Sequence, residues 1–153
     1  MLKAPPSSAQ VSGCSATHRK FYLFNVGVFR AVRPRGPLDA VEEIEGPAIE
    51  SLVFQEVRAI NDNLGLEYGL HYWRTTDGEE VDIVLYGARG IRAIEVKRSN
   101  RVRADDLRGL RAFLDDYPMA RAWLVYTGTR RYHEGAIEIV PLPAFLTELG
   151  DLL

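Results

Sequence analysis

The sequence has one cysteine, Cys14, among 153 residues, which excludes an intrachain disulfide and favours a reducing compartment such as the cytoplasm. It has no apolar run long enough to cross a membrane and no hydrophobic segment typical of a secretory signal. It contains no Gly-x-x-x-x-Gly-Lys-Ser/Thr string, so it lacks a phosphate-binding loop. The formal net charge of -2 argues against a uniformly basic nucleic-acid binder, although a local basic surface stays compatible with it.

The composition, 46% hydrophobic and 26% charged, is typical of one soluble globular domain with a sizeable core. Residues 1–19 are rich in Ser, Pro and Ala and lack periodicity, which predicts a disordered lead-in or the remnant of a longer chain. The domain then comprises residues 20–153. Its first segment, residues 21–32, is apolar and predicts a strand that leads into a short helix.

The pattern of the remaining chain predicts an α/β fold. A helix is expected to begin at Pro47 and to end within residues 61–65. Strands are expected at residues 66–74, 80–86 and 91–97, with an Asp-Gly turn between the first two. A second helix over 103–116 leads to an apolar strand at 122–127, expected to be parallel because a helical crossover reaches it. A short strand at 136–140 and a helix at 141–149 complete the order.

Two charged strings, Glu80-Val81-Asp82 and Glu95-Val96-Lys97, interrupt apolar strands. Buried charges are costly unless they are paired or bind a metal. Because side chains alternate along a strand, Glu80 and Asp82 are expected to share a face, as are Glu95 and Lys97. If the two strands pair, Asp82 and Glu95 become close carboxylates beside an ammonium group.

Such a pair suits a divalent cation, because two close carboxylates repel and Mg²⁺ prefers oxygen ligands. We therefore expect Mg²⁺, or Mn²⁺ in its place, to be held by Asp82 and Glu95. Glu50, beside the apolar stripe of the first helix, is the expected third ligand, and Glu56 is a weaker choice. Lys97 would orient water or bind phosphate, so the predicted chemistry is metal-assisted phosphodiester hydrolysis by Asp82, Glu95 and Lys97. The structural alternative is an ion-pair cluster at a strand end.

Arginines follow the second string closely, where a nucleic-acid backbone would need neutralising. Arg98 and Arg101 are predicted to contact phosphate, and Arg74 is a further candidate at the end of an earlier strand. Arg108 and Arg111 are interpreted as a solvated helix face that Asp105 and Asp106 balance.

The order of elements and the charged strings resemble the PD-(D/E)xK nuclease fold, a restriction-endonuclease-like core of a mixed central sheet flanked by helices. In that superfamily an acid comes from the first helix, an aspartate from the second strand and a Glu-x-Lys from the third. Matched residue by residue, the resemblance implies that Glu50, Asp82, Glu95 and Lys97 form the site.

Strings at residues 20–28, 46–53, 72–75 and 139–146, together with both charged strings, are similar to one narrower family. That family is the C-terminal nuclease-like domain of prokaryotic AAA-type ATPases, catalogued as a domain of unknown function. Asn25 stands where the family usually has aspartate. Because the phosphate-binding loop is missing, the resemblance implies the terminal domain alone, as a truncated product or a free-standing module.

The resulting hypothesis is a Mg²⁺-dependent nuclease or nuclease-like DNA-processing domain that hydrolyses phosphodiesters, with DNA as the expected nucleic acid. The alternative is a catalytically inactive nuclease-fold module that binds nucleic acid, an ATPase or another partner protein. A third hypothesis is a fragment with no independent role.

Overall fold

The computed structural model describes residues 41–153, with side chains from residue 46 onward. The predicted lead-in at 1–19, the strand and helix predicted at 21–32, and Cys14 lie outside these residues. Within the described part, three α helices flank a six-stranded sheet. The elements are α1 (Val41–Asn63), β1 (Gly69–Arg74), β2 (Glu80–Gly87), β3 (Gly90–Lys97), α2 (Arg108–Asp116), β4 (Arg121–Tyr126), β5 (Tyr132–Glu134), β6 (Ile137–Pro141) and α3 (Leu142–Leu152).

The sheet is mixed, and its strand order is β1-β2-β3-β4-β6-β5. The first three strands form the predicted antiparallel meander. β4 lies parallel to β3 and is reached through α2, as the apolar run predicts. β6 is parallel to β4, and β5 is antiparallel to β6 at the edge. Consequently β3, β4 and β6 all end at the same end of the sheet, where β2 begins.

Two apolar clusters, one on each face of the sheet, form the core. The first contains side chains of α1 and α3, and the second contains side chains of α2. Alternate residues of β3 and β4 enter opposite clusters: Ile94 and Trp123 pack in the first, whereas Ala93 and Ala122 pack in the second. The architecture is therefore three layers, with helices on both faces of the sheet.

Two helix starts and one additional strand differ from the sequence-based expectation. α1 begins at Val41, so placing its start at Pro47 was wrong; proline removes one backbone donor, and the helix here continues past it. The second helix begins with a 3-10 turn at Ala104–Leu107 before α2. β5 was not expected. No helix in the described range of the chain is long and apolar enough to cross a membrane.

A β-bulge interrupts β2 at Asp82. His71 pairs with Val84 and Trp73 pairs with Val81, so two residues of β2, Asp82 and Ile83, lie opposite one residue of β1. As a result Val81 and Val84, three residues apart, both pack in the second cluster. Strict alternation therefore fails between Val81 and Val84, and within this strand Glu80 is exposed whereas Asp82 is buried.

Candidate functional site

The candidate site lies where the pairing of β2 with β3 stops. The ladder runs from Gly87–Gly90 to Ile83–Ile94, and the next pair in this register would be Asp82 with Glu95. Instead, the backbone N–H of Val96 donates to Asp82 Oδ2 at 2.9 Å, and the backbone N–H of Asp82 donates to Glu95 Oε2 at 3.3 Å. Two carboxylates therefore replace backbone carbonyls as acceptors between the strands.

Both acids are buried although neither belongs to an apolar cluster. Asp82 is 6% exposed and Glu95 is 4% exposed. Burial raises the pKa of the Glu95 carboxyl from 4.5 to about 7, and the Asp82 carboxylate adds to the rise, while Lys97 opposes it. At Glu95, burial and the neighbouring carboxylate thus outweigh the opposing effect of Lys97.

Lys97 provides the cation of the site. Its Nζ lies 2.8 Å from Glu95 Oε1, and its side chain is 37% exposed, so the ammonium group also faces solvent. Partial burial opposes protonation, but Glu95, followed by Asp82 and Asp106, outweighs it and raises the pKa of Lys97. Lys97 therefore stays charged at neutral pH, between the buried acids and the surface.

Glu50 lies on α1, which packs on the first face of the sheet. It is half-buried on the helical stripe that carries Val53 and Val57 into the first cluster. Farther along the helix, the Asn61 side chain bonds the backbone of Tyr68. Glu50 lies about 16 Å before Asn61 along the helix axis. Among residues 46–153, no three His, Cys, Asp or Glu side chains form a group that could hold a metal ion.

The predicted phosphate-binding arginines lie at this same end of the sheet. Arg74 ends β1, pairs with Glu80 at the start of β2 and is exposed. Arg98 follows Lys97 and is half-buried, whereas Arg101 is exposed. The Ser99 hydroxyl donates to the Arg101 carbonyl at 2.6 Å and accepts from the Arg101 N–H at 3.1 Å, which fixes this loop. Their role in binding phosphate stays a prediction.

Asp106 also belongs to the site. The sequence pattern indicated for it only a role in balancing the charge of Arg108 and Arg111. It is close enough to Lys97 to raise the pKa of that lysine, and its Oδ2 accepts from the Arg103 N–H at 2.7 Å. The spacing of Asp106 could have indicated this contact. An acid three residues after the residue that precedes a helical turn often accepts a hydrogen bond from the backbone N–H of that residue. Asp106 therefore links the 3-10 turn to the end of β3.

The donor set fits one divalent cation that keeps several waters. Mg²⁺ is commonly held by one or two carboxylates, with the remaining positions taken by water or substrate phosphate. Asp82 and Glu95 supply such a pair of buried carboxylates, and a divalent ion would offset the repulsion by which Asp82 raises the pKa of Glu95. A third protein ligand is not needed for this arrangement.

Comparison with known proteins gives a family without an assigned activity. A family model described as Domain of unknown function (DUF4143) matches residues 45–145. No curated protein matches the chain.

Proposed function

This chain belongs to the DUF4143 family, and we propose that it is a nuclease-like domain that hydrolyses phosphodiesters with Mg²⁺ or Mn²⁺. The observation that carries the proposal is the buried Asp82–Glu95 pair with Lys97 at 2.8 Å from Glu95. An apolar strand end would be more stable than a site with two buried acids, and perturbed carboxyl pKa values are typical of functional sites.

Each residue of the site has a distinct role in the proposed reaction. Asp82 and Glu95 would hold the divalent ion, whose contribution is to offset negative charge on a phosphodiester. The backbone N–H groups of Val96 and Asp82 fix one oxygen of each carboxylate. Lys97 would position water against phosphorus or bind a nonbridging oxygen. Attack by water breaks one P–O ester bond and leaves a phosphate monoester and a hydroxyl group.

The resemblance to the PD-(D/E)xK fold supports this assignment. The order of a helix, a three-strand meander, a helix and a parallel strand is the order expected of that core. Glu50, from the first helix, would approach the ion through water. DNA is the proposed substrate, and Arg74, Arg98 and Arg101 would contact its phosphates. By the same resemblance we propose a cytoplasmic setting and an AAA-type ATPase as a parent protein or partner.

A second candidate is a nuclease-fold module that binds nucleic acid or a partner protein without cutting. One observation favours it: both oxygens of Glu95 are already engaged, Oε1 by Lys97 and Oε2 by the Asp82 N–H. A closed ion pair of this kind competes with a metal for the carboxylate. Metal binding would have to displace Lys97 from Glu95.

Cleavage of labelled single- and double-stranded DNA separates the two candidates. We expect Mg²⁺- or Mn²⁺-dependent products from the unaltered chain, and a loss of about 100-fold or more in Asp82→Ala and Lys97→Ala. Asp77→Ala, in the exposed turn before β2, is the matched control and should cut normally. Cleavage that continues unchanged in both site variants would refute the assignment. If the unaltered chain cuts no DNA, whether or not metal is added, the second candidate is favoured.

A further inference from the structure

A cleft on the α2 face of the sheet lies beside the candidate site. Its lining comes from the loop after β3, from the 3-10 turn and α2, and from the edge strand β5: Val102, Arg103, Ala104, Leu107, Arg111, Tyr132 and Glu134. Two arginines and one aromatic ring thus line this cleft together with the apolar side chains of Val102 and Leu107. None of the acids or the lysine of the candidate site is among these residues.

Residues on both sides of the cleft have neighbours that interact or pair with Lys97. On one side, the N–H of Arg103 is bonded to Asp106, whose charge acts on Lys97. On the other side, Tyr132 lies near Tyr126, which pairs with Lys97 across β3 and β4. The cleft therefore has neighbours of Lys97 on both sides, which places it within reach of a strand bound at Lys97.

The two arginines of the cleft can bind an anionic ligand. Arg103 and Arg111 are exposed, and within the described residues neither forms an ion pair. The half-buried ring of Tyr132 packs against the second cluster, which holds the ring in place. Among the lining residues that the structure describes, Glu134 is the one acid, so together these residues carry a net positive charge.

We propose that this cleft binds one nucleotide of a single strand, with its base against the ring of Tyr132 and its phosphate near Arg103 and Arg111. Aromatic rings and arginines in one groove are the usual means of binding single strands without sequence preference. A base inside a duplex is already stacked on both faces, so the cleft selects single-stranded or frayed nucleic acid. This inference rests on the proposed function and names its substrate class.

Binding of a short fluorescent oligothymidylate in EDTA tests the ring contact. Tyr132→Leu should weaken binding about tenfold, whereas Tyr132→Phe, which keeps the ring, should stay within about twofold of the unaltered chain. Tyr86→Leu is the matched control, because Tyr86 is 40% exposed and lies beside the β2–β3 turn at the opposite end of the sheet. An unchanged affinity in Tyr132→Leu would overturn the inference, as would an equal loss of affinity for a blunt duplex.

The salt dependence tests the arginines without touching the core. Arg111→Gln should lower the slope of log K against log salt by about 0.7 for the single strand. Arg89→Gln, at an exposed position in the β2–β3 turn, should leave the slope unchanged. A slope that is the same for Arg111→Gln and the unaltered chain would contradict the phosphate contact.

The two proposals fail in different ways. If Asp82→Ala abolishes metal-dependent cleavage but Tyr132→Leu binds single strands normally, the cleft inference is wrong and the nuclease assignment stands. If binding depends on Tyr132 but no metal-dependent cleavage is found, the cleft inference stands and the nuclease assignment is wrong.

Discussion

Asp82 and Glu95 come directly next to the last paired residues of β2 and β3, but a side chain forms the contact between them. Glu95 Oε2 accepts a hydrogen bond from the Asp82 N–H at 3.3 Å. The bulge at Asp82 and the end of the ladder at Ile83–Ile94 coincide. The backbone pairing of β2 with β3 thus ends at the position where two carboxylates are buried. Bulges at such positions re-aim side chains, and here the bulge places an acid between strands.

The raised pKa of Glu95 predicts that stability falls as pH rises. Between its unfolded value of 4.5 and its folded value of about 7, the folded chain holds a proton that the unfolded chain has lost. Folding is therefore favoured below pH 4.5, and this advantage, on the order of 3 kcal/mol, is lost by about pH 7. Urea unfolding at pH 5 and pH 8 measures it, and Glu95→Gln should flatten the dependence.

Glu56→Gln is the control for that pH series. Glu56 is exposed on α1, so its replacement should leave the difference between pH 5 and pH 8 as it is in the unaltered chain. If Glu95→Gln retains the full difference, the buried carboxyl is not its source.

Lys97→Met should destabilise the protein more at pH 8 than at pH 5. In the unaltered chain Glu95, with a pKa of about 7, is mostly ionised at pH 8 and mostly protonated at pH 5, so the charge pair that the variant loses exists mainly at the higher pH. Because the Lys97 side chain is 37% exposed, we expect a loss of about 1 kcal/mol at pH 8, less than for a fully buried pair. Unfolding at both pH values measures the difference, and Arg101→Gln, at an exposed position, is expected to show none. Equal losses at both pH values would mean that packing, not charge, is the role of Lys97.

Gly109→Ala should destabilise the contact between α2 and β2. A Cβ built at Gly109 would clash with the carbonyl oxygen of Glu80, so the helix must move away from the strand. We expect a loss of about 2 kcal/mol in the free energy of unfolding. Gly46→Ala in α1, where nothing lies within 4 Å, should be neutral or stabilising. A neutral Gly109→Ala would show that α2 is not in close contact with β2.

Glu138→Ala should destabilise the start of β6, which is the end of that strand farther from the candidate site. Glu138 accepts from Trp123 Nε1 at 2.9 Å and from Arg131 Nε at 2.7 Å, and Trp123 is 1% exposed. A buried donor without an acceptor costs about 1–3 kcal/mol. Glu138→Gln, which keeps an amide oxygen, should lose less. The Arg131–Glu148 ion pair is exposed, so Glu148→Ala should cost under about 1 kcal/mol.

The sequence predicted the meander, the parallel β4 and the proximity of the charged strings, because long apolar strands and turn residues are strong local signals. It did not predict the bulge at Asp82, since a two-against-one pairing depends on the register that β1 adopts. Alternation predicts only that Glu80 and Asp82 share a face, and it does not indicate that Glu80 is exposed whereas Asp82 is buried.

The short strand β5 and the role of Asp106 had weaker signals. β5 has three residues and is defined by its pairing with β6, such as Tyr132 with Ile139, and not by its own pattern. Asp106 acts on Lys97 only because the 3-10 turn folds back beside the end of β3. Contacts of this kind depend on tertiary structure and are invisible to local sequence patterns.

The central claim is that Asp82 and Glu95, beside Lys97, hold a divalent ion. Titration with Mn²⁺ at pH 8, followed by the loss of the free-ion electron paramagnetic resonance signal, tests it most directly. We predict about one bound ion per chain, displaced by Mg²⁺. Asp82→Asn should weaken binding at least about tenfold, while the turn variant Asp77→Asn binds normally. Mn²⁺ binding that is equal in Asp82→Asn and the unaltered chain, or absent from both, would contradict the account.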